Sequence, residues 1–389
     1  MNNSILHTAD WHLRDSQYTS MERGVDFTKA ALSVIDIAMA CGVKAICNCG
    51  DILNNKRPSS KNIRDLVEID RRLQSANIPM YVISGNHVFA RPSWISIVRQ
   101  ENQSKSIGGI IDADNALNII PNTGGMTVYG IPSMGAGAFR AKKGDWPEAD
   151  ILMSHEMVKE FCAFQTEGDT LTLGDYPFKK YKVILLGDIH TSQYRKLDNG
   201  RVLVGYPGPI EFCSRHEGRE KVVTVMDWEN REFDTDQTLR LIKLPTRPVI
   251  VRQILTELDL NKVTKEIKEN KHKNPMIFIR YDGKMPDVPA ILMTMVVGTK
   301  CILRCAAYND LDVRKILTPD EEVVRRLKTP QDFVSKFINP NAEIYPLACM
   351  LADPDVDHRR LISDFVNEKI EHETDTFENK GFQPSQANR

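Results

Sequence analysis

Val43-Lys44-Ala45-Ile46-Cys47-Asn48-Cys49-Gly50-Asp51 passes from a short apolar stretch straight into a glycine and a carboxylate. An apolar run of this length, closed by a turn residue, reads as a buried strand and its exit. The same pattern occurs four more times in the first 190 residues. Ser4-Ile5-Leu6-His7-Thr8-Ala9 leads to Asp10-Trp11-His12, and Val82-Ile83-Ser84 leads to Gly85-Asn86-His87. Ile151-Leu152-Met153-Ser154 ends on His155, and Leu185-Leu186-Gly187 on Asp188-Ile189-His190. Ligands in open α/β sheets bind beyond the carboxyl ends of the strands, so the five exits are expected to converge on one rim.

Outward from these runs, the chain alternates strands with helices. Met21 to Ala40 reads as a helix with Phe27, Leu32, Ile35 and Met39 on one buried face, and Pro58 to Ala76 as a helix opened by Pro58 near a first-turn position. Further strand-like runs begin at Met80, Met126, Val183, Val202 and Val222. The pattern predicts an α/β layered fold, with a mixed sheet or two packed sheets. After Pro245-Thr246-Arg247-Pro248 the pattern changes. A lysine-rich helix (Lys262 to Lys273), a strand from Met276 to Tyr281, an apolar run near Leu292 and a strand from Cys301 to Ala306 make up a small α+β domain. From Thr318 the chain reads as helices, with helix starts at Thr318-Pro319-Asp320-Glu321 and Thr329-Pro330-Gln331-Asp332. The expected divisions are residues 1–245, 246–315 and a helical segment 316–373, with a polar, disordered tail at 374–389.

The composition is that of a globular chain. With 41% hydrophobic and 26% charged residues among 389, and a net charge of −1, it excludes a disordered or fibrous protein. The longest apolar run, Pro289 to Val297, falls far short of the ~20 residues of a membrane span, and Met1-Asn2-Asn3-Ser4 opens no signal peptide. Eight cysteines without a CxxC pair make no disulfide scaffold. Cys41, Cys47 and Cys49, in or beside an apolar strand, read as small buried thiols, and Cys301 and Cys305 lie in a similar run. The setting reads as reducing and cytoplasmic. Gly135-Ala136-Gly137 near Lys142 and Lys143 lacks the GxxxxGK[ST] spacing and reads as a flexible connection.

Four of the nine histidines fall at the strand exits, among carboxylates and one carboxamide and with no thiolate. That donor set suits hard to borderline divalent ions, Mn²⁺ above all and Mg²⁺ as well. Two such ions sharing a carboxylate can activate water and clamp a phosphate, while a histidine outside their coordination protonates the leaving oxygen. Each tripeptide alone is weak, since Asp-x-His is commonly a surface loop and Gly-Asp a turn. All five in this order carry the reading.

Asp-x-His, Gly-Asp, Gly-Asn-His, His and Gly-x-x-His in this order resemble the calcineurin-like metallophosphoesterase superfamily. More narrowly, Gly50-Asp51-Ile52-Leu53-Asn54-Asn55-Lys56-Arg57-Pro58-Ser59 resembles the GDLFHxNKPS motif of SbcD-type DNA repair nucleases. Val204-Gly205-Tyr206-Pro207-Gly208-Pro209 and Val128-Tyr129-Gly130-Ile131-Pro132 are similar to two further segments of that family. The resemblance covers about residues 5 to 215. It implies a core of two mixed β-sheets flanked by helices, a capping domain that touches DNA, and C-terminal helices that dock on an SbcC-type ATPase. It also implies one metal at Asp10, His12, Asp51 and His190, a second at Asp51, Asn86, His155 and Asp188, and His87 as proton donor. Three positions depart from the family: Asp188 stands for a histidine, Val88 for an aspartate and Asn54 for a histidine.

The reading is a Mn²⁺-dependent DNA phosphodiesterase. The resemblance implies 3′–5′ exonuclease and single-strand endonuclease activities and a homodimer within a heterotetramer with the ATPase. Arg14, Lys56 and Arg57 lie where they can reach backbone phosphates, or else form a solvated basic rim. The rival readings are an RNA-debranching or nucleotide phosphodiesterase, and a degenerate nuclease fold kept as a DNA-binding scaffold.

Overall fold

The computed structural model describes residues 2–87, 98, 107–162, 170–214, 217, 220–229 and 239–308. The first half runs β1 (Asn2–Thr8), α1 (Met21–Ala40), β2 (Ala45–Asn48), α2 (Ser60–Ala76), β3 (Pro79–Val82), β4 (Gly109–Asp112), β5 (Leu117–Ile119), β6 (Thr127–Ile131) and α3 (Ala136–Lys142). There follow β7 (Ile151–His155), β8 (Val183–Gly187), β9 (Gln193–Leu197), β10 (Val202–Tyr206), β11 (Val222–Glu229) and β12 (Leu239–Lys243). The last part is β13 (Val249–Ile254), α4 (Glu257–Asn270), β14 (Met276–Asp282), α5 (Val288–Val296) and β15 (Ile302–Tyr308). Met1–Ala307 is one compact unit.

Two six-stranded mixed sheets form the core, ordered β12-β11-β1-β2-β3-β4 and β5-β6-β7-β8-β10-β9. In each, four neighbouring strands run parallel, and the antiparallel strands sit at the margins. Side chains alternate along each strand, and the alternation sorts them into three layers of packing. Ile5, Cys47, Tyr81, Met153 and Leu185 pack between the two sheets. Leu6, Ile46, Met80 and Val82 turn the other way, onto Phe27, Val34, Ile35, Leu66 and Leu73 of α1 and α2. Leu152, Ile184, Leu186 and Val204 cover the far side of the second sheet together with Phe139 and Trp146. Two mixed sheets flanked by helices are the architecture that the sequence resemblance implies.

Details of the helices differ from the reading of the sequence. The buried face of α1 runs through Arg23, Phe27, Ala30, Ala31, Val34, Ile35 and Ala38, whereas Met39 is exposed and Leu32 half-buried. At 100° per residue Leu32 and Met39 stand well round the helix from Phe27, and small alanines supply the contact instead. Pro58 precedes α2 rather than entering its first turn. The N-cap is Ser59, whose side chain accepts from Asn62 N while Asn62 accepts from Ser59 N. The expected flexible connection at Gly135 is the start of α3, where Glu156 accepts from Met134 N (2.6 Å) and Gly135 N (3.0 Å).

The three-stranded sheet β13-β14-β15 carries α4 and α5 over a small core of Ile250, Ile254, Val263, Ile267, Ile277 and Leu292. An ion-pair chain ties it to the larger core. Arg247 grips Asp26 of α1 with Nε (2.6 Å) and Nη2 (2.8 Å), and Asp26 also accepts from Arg23 Nη1 at 2.8 Å. Arg23 is fully buried and also donates to Glu211 Oε1 (3.3 Å), Phe212 O (2.9 Å) and Gln17 Oε1 (3.0 Å). The helical segment expected at 316–373 and the tail after it lie outside the described residues. Among the described residues, no helix is long and apolar enough to cross a membrane.

Removing Arg23 leaves two carboxylates facing a cavity. Arg23→Ala is expected to lower the unfolding free energy by about 3–5 kcal/mol, as breaking one side of a buried ion pair does. Urea melts check this, and a loss under about 1 kcal/mol would show that the strut carries little of the fold's stability.

Candidate metal centre

Beyond the last paired residues of β1 and β2 the two exit loops run side by side. Asp10 N donates to Gly50 O at 3.1 Å, and His12 N to Asp51 O at 2.8 Å. These bonds aim Asp10, His12 and Asp51 at the same point. The loop after β3 brings Asn86 and His87, with His87 N donating to Asp51 Oδ1 at 3.0 Å. His155 closes β7 in register with Gly187 of β8, so Asp188 emerges beside it. The backbone pays locally for the convergence. Asp10, His12, Asp51 and Asp188 all have positive φ (53°, 45°, 50° and 99°), a region that non-glycine residues rarely occupy.

Asp51 is the hub. Its side chain is buried, and Oδ2 lies 3.5 Å from His155 Nε2, 3.8 Å from His87 Nε2 and 3.9 Å from His12 Nε2. His155 Nε2 also lies 3.9 Å from Asp188 Oδ1, which accepts from Asn86 Nδ2 at 3.0 Å. Both oxygens of Asp10 face Asp188 N at 3.2 Å. His12 Nε2 and His190 Nε2 stand 3.3 Å apart. All eight expected side chains therefore meet at one place.

The Nδ1 atoms of three imidazoles are fixed from behind. His155 Nδ1 donates to Cys49 O (2.6 Å), His87 Nδ1 to Asn54 O (2.8 Å) and His190 Nδ1 to Glu217 Oε1 (2.7 Å). Each bond sets a tautomer that leaves Nε2 toward the centre, the arrangement of metal-bound histidines. Glycines make room: a Cβ on Gly50 would stand 2.3 Å from His155 Nδ1, and one on Gly85 2.1 Å from Asp51 Oδ1.

The electrostatics ask for a cation. Burial pushes the Asp10 carboxyl up to about 6. Burial would raise Asp51 as well, but His155, His12 and the His87 N–H together hold it below its usual range. Burial opposes the charge on His155 too, yet Asp51, Asp10 and Asp188 raise it to about 10. His155 Nε2 is nevertheless buried with no hydrogen-bond partner among the described residues. A buried, unpartnered ring nitrogen facing three carboxylates fits a divalent ion, and so does the pair of Nε2 atoms 3.3 Å apart. Asp10, Asp51 and His155 form one group of mutually close donors, and His12, Asp51 and His87 another.

The basic residues are placed differently. Arg14 donates from Nε to His12 O at 2.9 Å and lies over the Phe27 ring at 4.5 Å, while Lys56 and Arg57 are exposed on the loop after Asp51. Val88 lies outside the described residues. Two neighbours escape a reading of the sequence. Glu217, which also accepts from Lys221 Nζ, and Cys213, which stands close to His12 and His190, follow no strand exit and no motif. The Tyr206 hydroxyl accepts from Val158 N (3.1 Å) and donates to Glu156 O (2.8 Å), pinning the loop that follows His155. Only the Tyr-Pro-Gly motif hinted at that role.

Comparison with known proteins agrees with this geometry. Residues 4–192 match the family model for calcineurin-like phosphoesterases. The chain is 27% and 28% identical, over 241 residues each, to the DNA double-strand break repair proteins Mre11 of Methanosarcina acetivorans and Methanosarcina mazei. These alignments cover 59% of this chain, which spans only 38% and 37% of the two relatives' lengths. It is 25% identical over 394 residues to the DNA double-strand break repair protein Mre11 of Sulfurisphaera tokodaii, covering 95% of this chain and 94% of that one.

Because the carboxylates hold a proton on His155 up to about pH 10, an ion entering there must displace it. At pH 7 uptake should release about one proton from this imidazole, and affinity should rise with pH between about 6 and 10. Calorimetry in buffers of different ionisation enthalpy reads the proton count. A count of zero would remove His155 from the ion's coordination.

Proposed function

We propose, from the premise that residues 4–192 are a calcineurin-like phosphoesterase domain, that this chain is a metal-dependent DNA phosphodiesterase. In this reading it is a Mn²⁺-dependent nuclease of DNA end processing and repair, acting in the cytoplasm as a 3′–5′ exonuclease on duplexes and an endonuclease on single strands. The observation that carries the reading is Asp51, one buried carboxylate within 3.5–3.9 Å of three imidazole nitrogens from three separate strand exits. Similarity to Mre11 proteins over most of the chain supports DNA as the substrate.

Asp10, His12, Asp51 and His190 would hold one ion, and Asp51, Asn86, His155 and Asp188 the other. When bound, such ions polarise the phosphate and lower the pKa of water. The remaining work falls to the chain's own residues. Glu217, Cys49 O and Asn54 O keep three imidazoles in single tautomers. His87 is the proton donor: its Nδ1 is spent on Asn54 O, its Nε2 faces the centre, and 43% of its side chain is open to an incoming substrate. With Nδ1–H kept on Asn54 O, the imidazolium form of His87 would pass its Nε2 proton to the leaving oxygen, and Asn54 O would steady the ring through the transfer. Lys56 and Arg57, exposed beside Asp51, are suited to backbone phosphates, whereas the bonds of Arg14 favour a supporting role.

The partner proposed is an SbcC-type ATPase, bound by a dimer of this chain through the apolar stripes at Phe333, Val334 and Phe337 and at Leu361, Phe365 and Val366. Truncation before Thr318 should abolish co-purification with that ATPase and spare cleavage of single strands. Loss of intrinsic cleavage would favour packing onto the chain's own core.

Plasmid nicking and linear-duplex digestion with Mn²⁺ test the activity itself, and absence of cleavage with any divalent ion would sink it. His87→Ala should retain both ions and lose about 10²–10⁴ in turnover. Undiminished turnover, or lost metal, would take His87 out of the donor role.

A further inference from the structure

Cys213 belongs to no motif, yet its Sγ and one ring nitrogen each of His12 and His190 lie within 4.8 Å of one another. We propose that Cys213 is a thiol donor to the His12–His190 half of the centre, making that half selective for a thiophilic ion such as Zn²⁺ over Mn²⁺. The proposal rests on the two-ion reading and adds a ligand to it.

Three observations support the assignment. Glu217 bonds two of the three residues at once: Oε1 accepts from His190 Nδ1 at 2.7 Å, and Oε2 from the backbone N of Cys213 at 3.1 Å, while the Cys213 thiol donates to Glu211 O at 3.6 Å. One carboxylate bonded behind two ligands is the outer layer of a metal site. His12 is buried, and its Nε2 stands 3.3 Å from His190 Nε2. Arg14 Nη2 stands 3.9 Å from Sγ, where a guanidinium favours thiolate over thiol, although its charge also acts against the ion.

A thiol that binds the ion gives up its S–H proton to solvent as the S–metal bond forms. Nitrogen and sulfur donors on a tetrahedral ion lie about 3.6 Å apart. The three donors, all within 4.8 Å of one another, reach that spacing by a shift of no more than about 1.2 Å. With Cys213 the first ion would meet two carboxylates (Asp10, Asp51), two imidazoles and a thiolate, whereas Asp51, Asn86, His155 and Asp188 offer three oxygens, one nitrogen and no sulfur. The first half is therefore the better suited to Zn²⁺ and the second to Mn²⁺. The two halves would therefore differ in the metal they prefer.

Cobalt(II) titration of the full chain tests this without an activity assay. Thiolate ligation gives a ligand-to-metal charge-transfer band in the near ultraviolet, expected in the unaltered protein and absent from Cys213→Ser. Zn²⁺ affinity at one site should fall by no less than the about 10–100-fold that outer partners of a metal are worth, with Mn²⁺ affinity changed far less. Two bound Co²⁺ without the band, or a band that survives in Cys213→Ser, would overturn the thiol assignment alone. No bound Co²⁺ at all would overturn the two-ion reading with it.

Discussion

A buried carboxylate is tolerated only where something pays its desolvation, and around Asp51 everything is arranged to do so. Its two oxygens meet a backbone N–H and three imidazoles drawn from different strands of both sheets. For that meeting to happen, three strand exits take positive-φ backbone at four non-glycine residues, each costing on the order of 1–3 kcal/mol. Such strain persists only when the surroundings over-determine it. Here the surroundings are the parallel centres of two sheets packed through Ile5, Cys47, Tyr81, Met153 and Leu185. Packing between the sheets fixes how the strand ends face each other, and so fixes the centre.

The sequence made the strand exits legible because each apolar run stops and a ligand-type residue follows at once. β1, β2, β3, β7 and β8 all obey that grammar, and the runs that seed β6, β10 and β11 are equally apolar. β9 and β12 (QYRKL and LRLIK) are half-polar edge strands whose alternation is weak, and β5 has only three residues. Their place is decided by pairing with β10, β11 and β6, contacts that no local pattern encodes. The choice between one mixed sheet and two packed sheets was open for the same reason. It turns on which faces meet, and Cys47 and Met153 look alike in sequence whichever layer they join.

The outer layer of the centre was not legible at all. Glu217 serves His190 across 27 residues, and Arg23 reaches Glu211 across 188. An isolated glutamate in a loop resembles solvated surface until the fold buries it against a histidine and a lysine. Burial then pushes its carboxyl up, but His190 and Lys221 hold it below the usual range, so it remains an anion able to orient the ring. Cys213 escapes for a related cause. Spacing is what marks a thiol ligand in sequence, and Cys213 has no sequence neighbour of its own kind.

The departures from the family pattern can be judged from geometry. Asn54 contributes its backbone carbonyl to His87, while its side chain donates to Asn55 Oδ1 at 3.2 Å. Any residue at position 54 supplies that carbonyl, so the exchange for histidine leaves the orientation of His87 intact and alters only what the side chain offers to substrate. Asp188 is different. Its backbone N faces Asp10 and its Oδ1 holds Asn86, so its main chain and side chain bind two separate members of the centre. A histidine there could contact His155 and Asn86 only as a neutral ring. The carboxylate adds a third anion against His155, which is part of why that imidazole holds its proton so firmly. The substitution strengthens the field that draws a cation, and the same field makes the cation compete with a proton for its place.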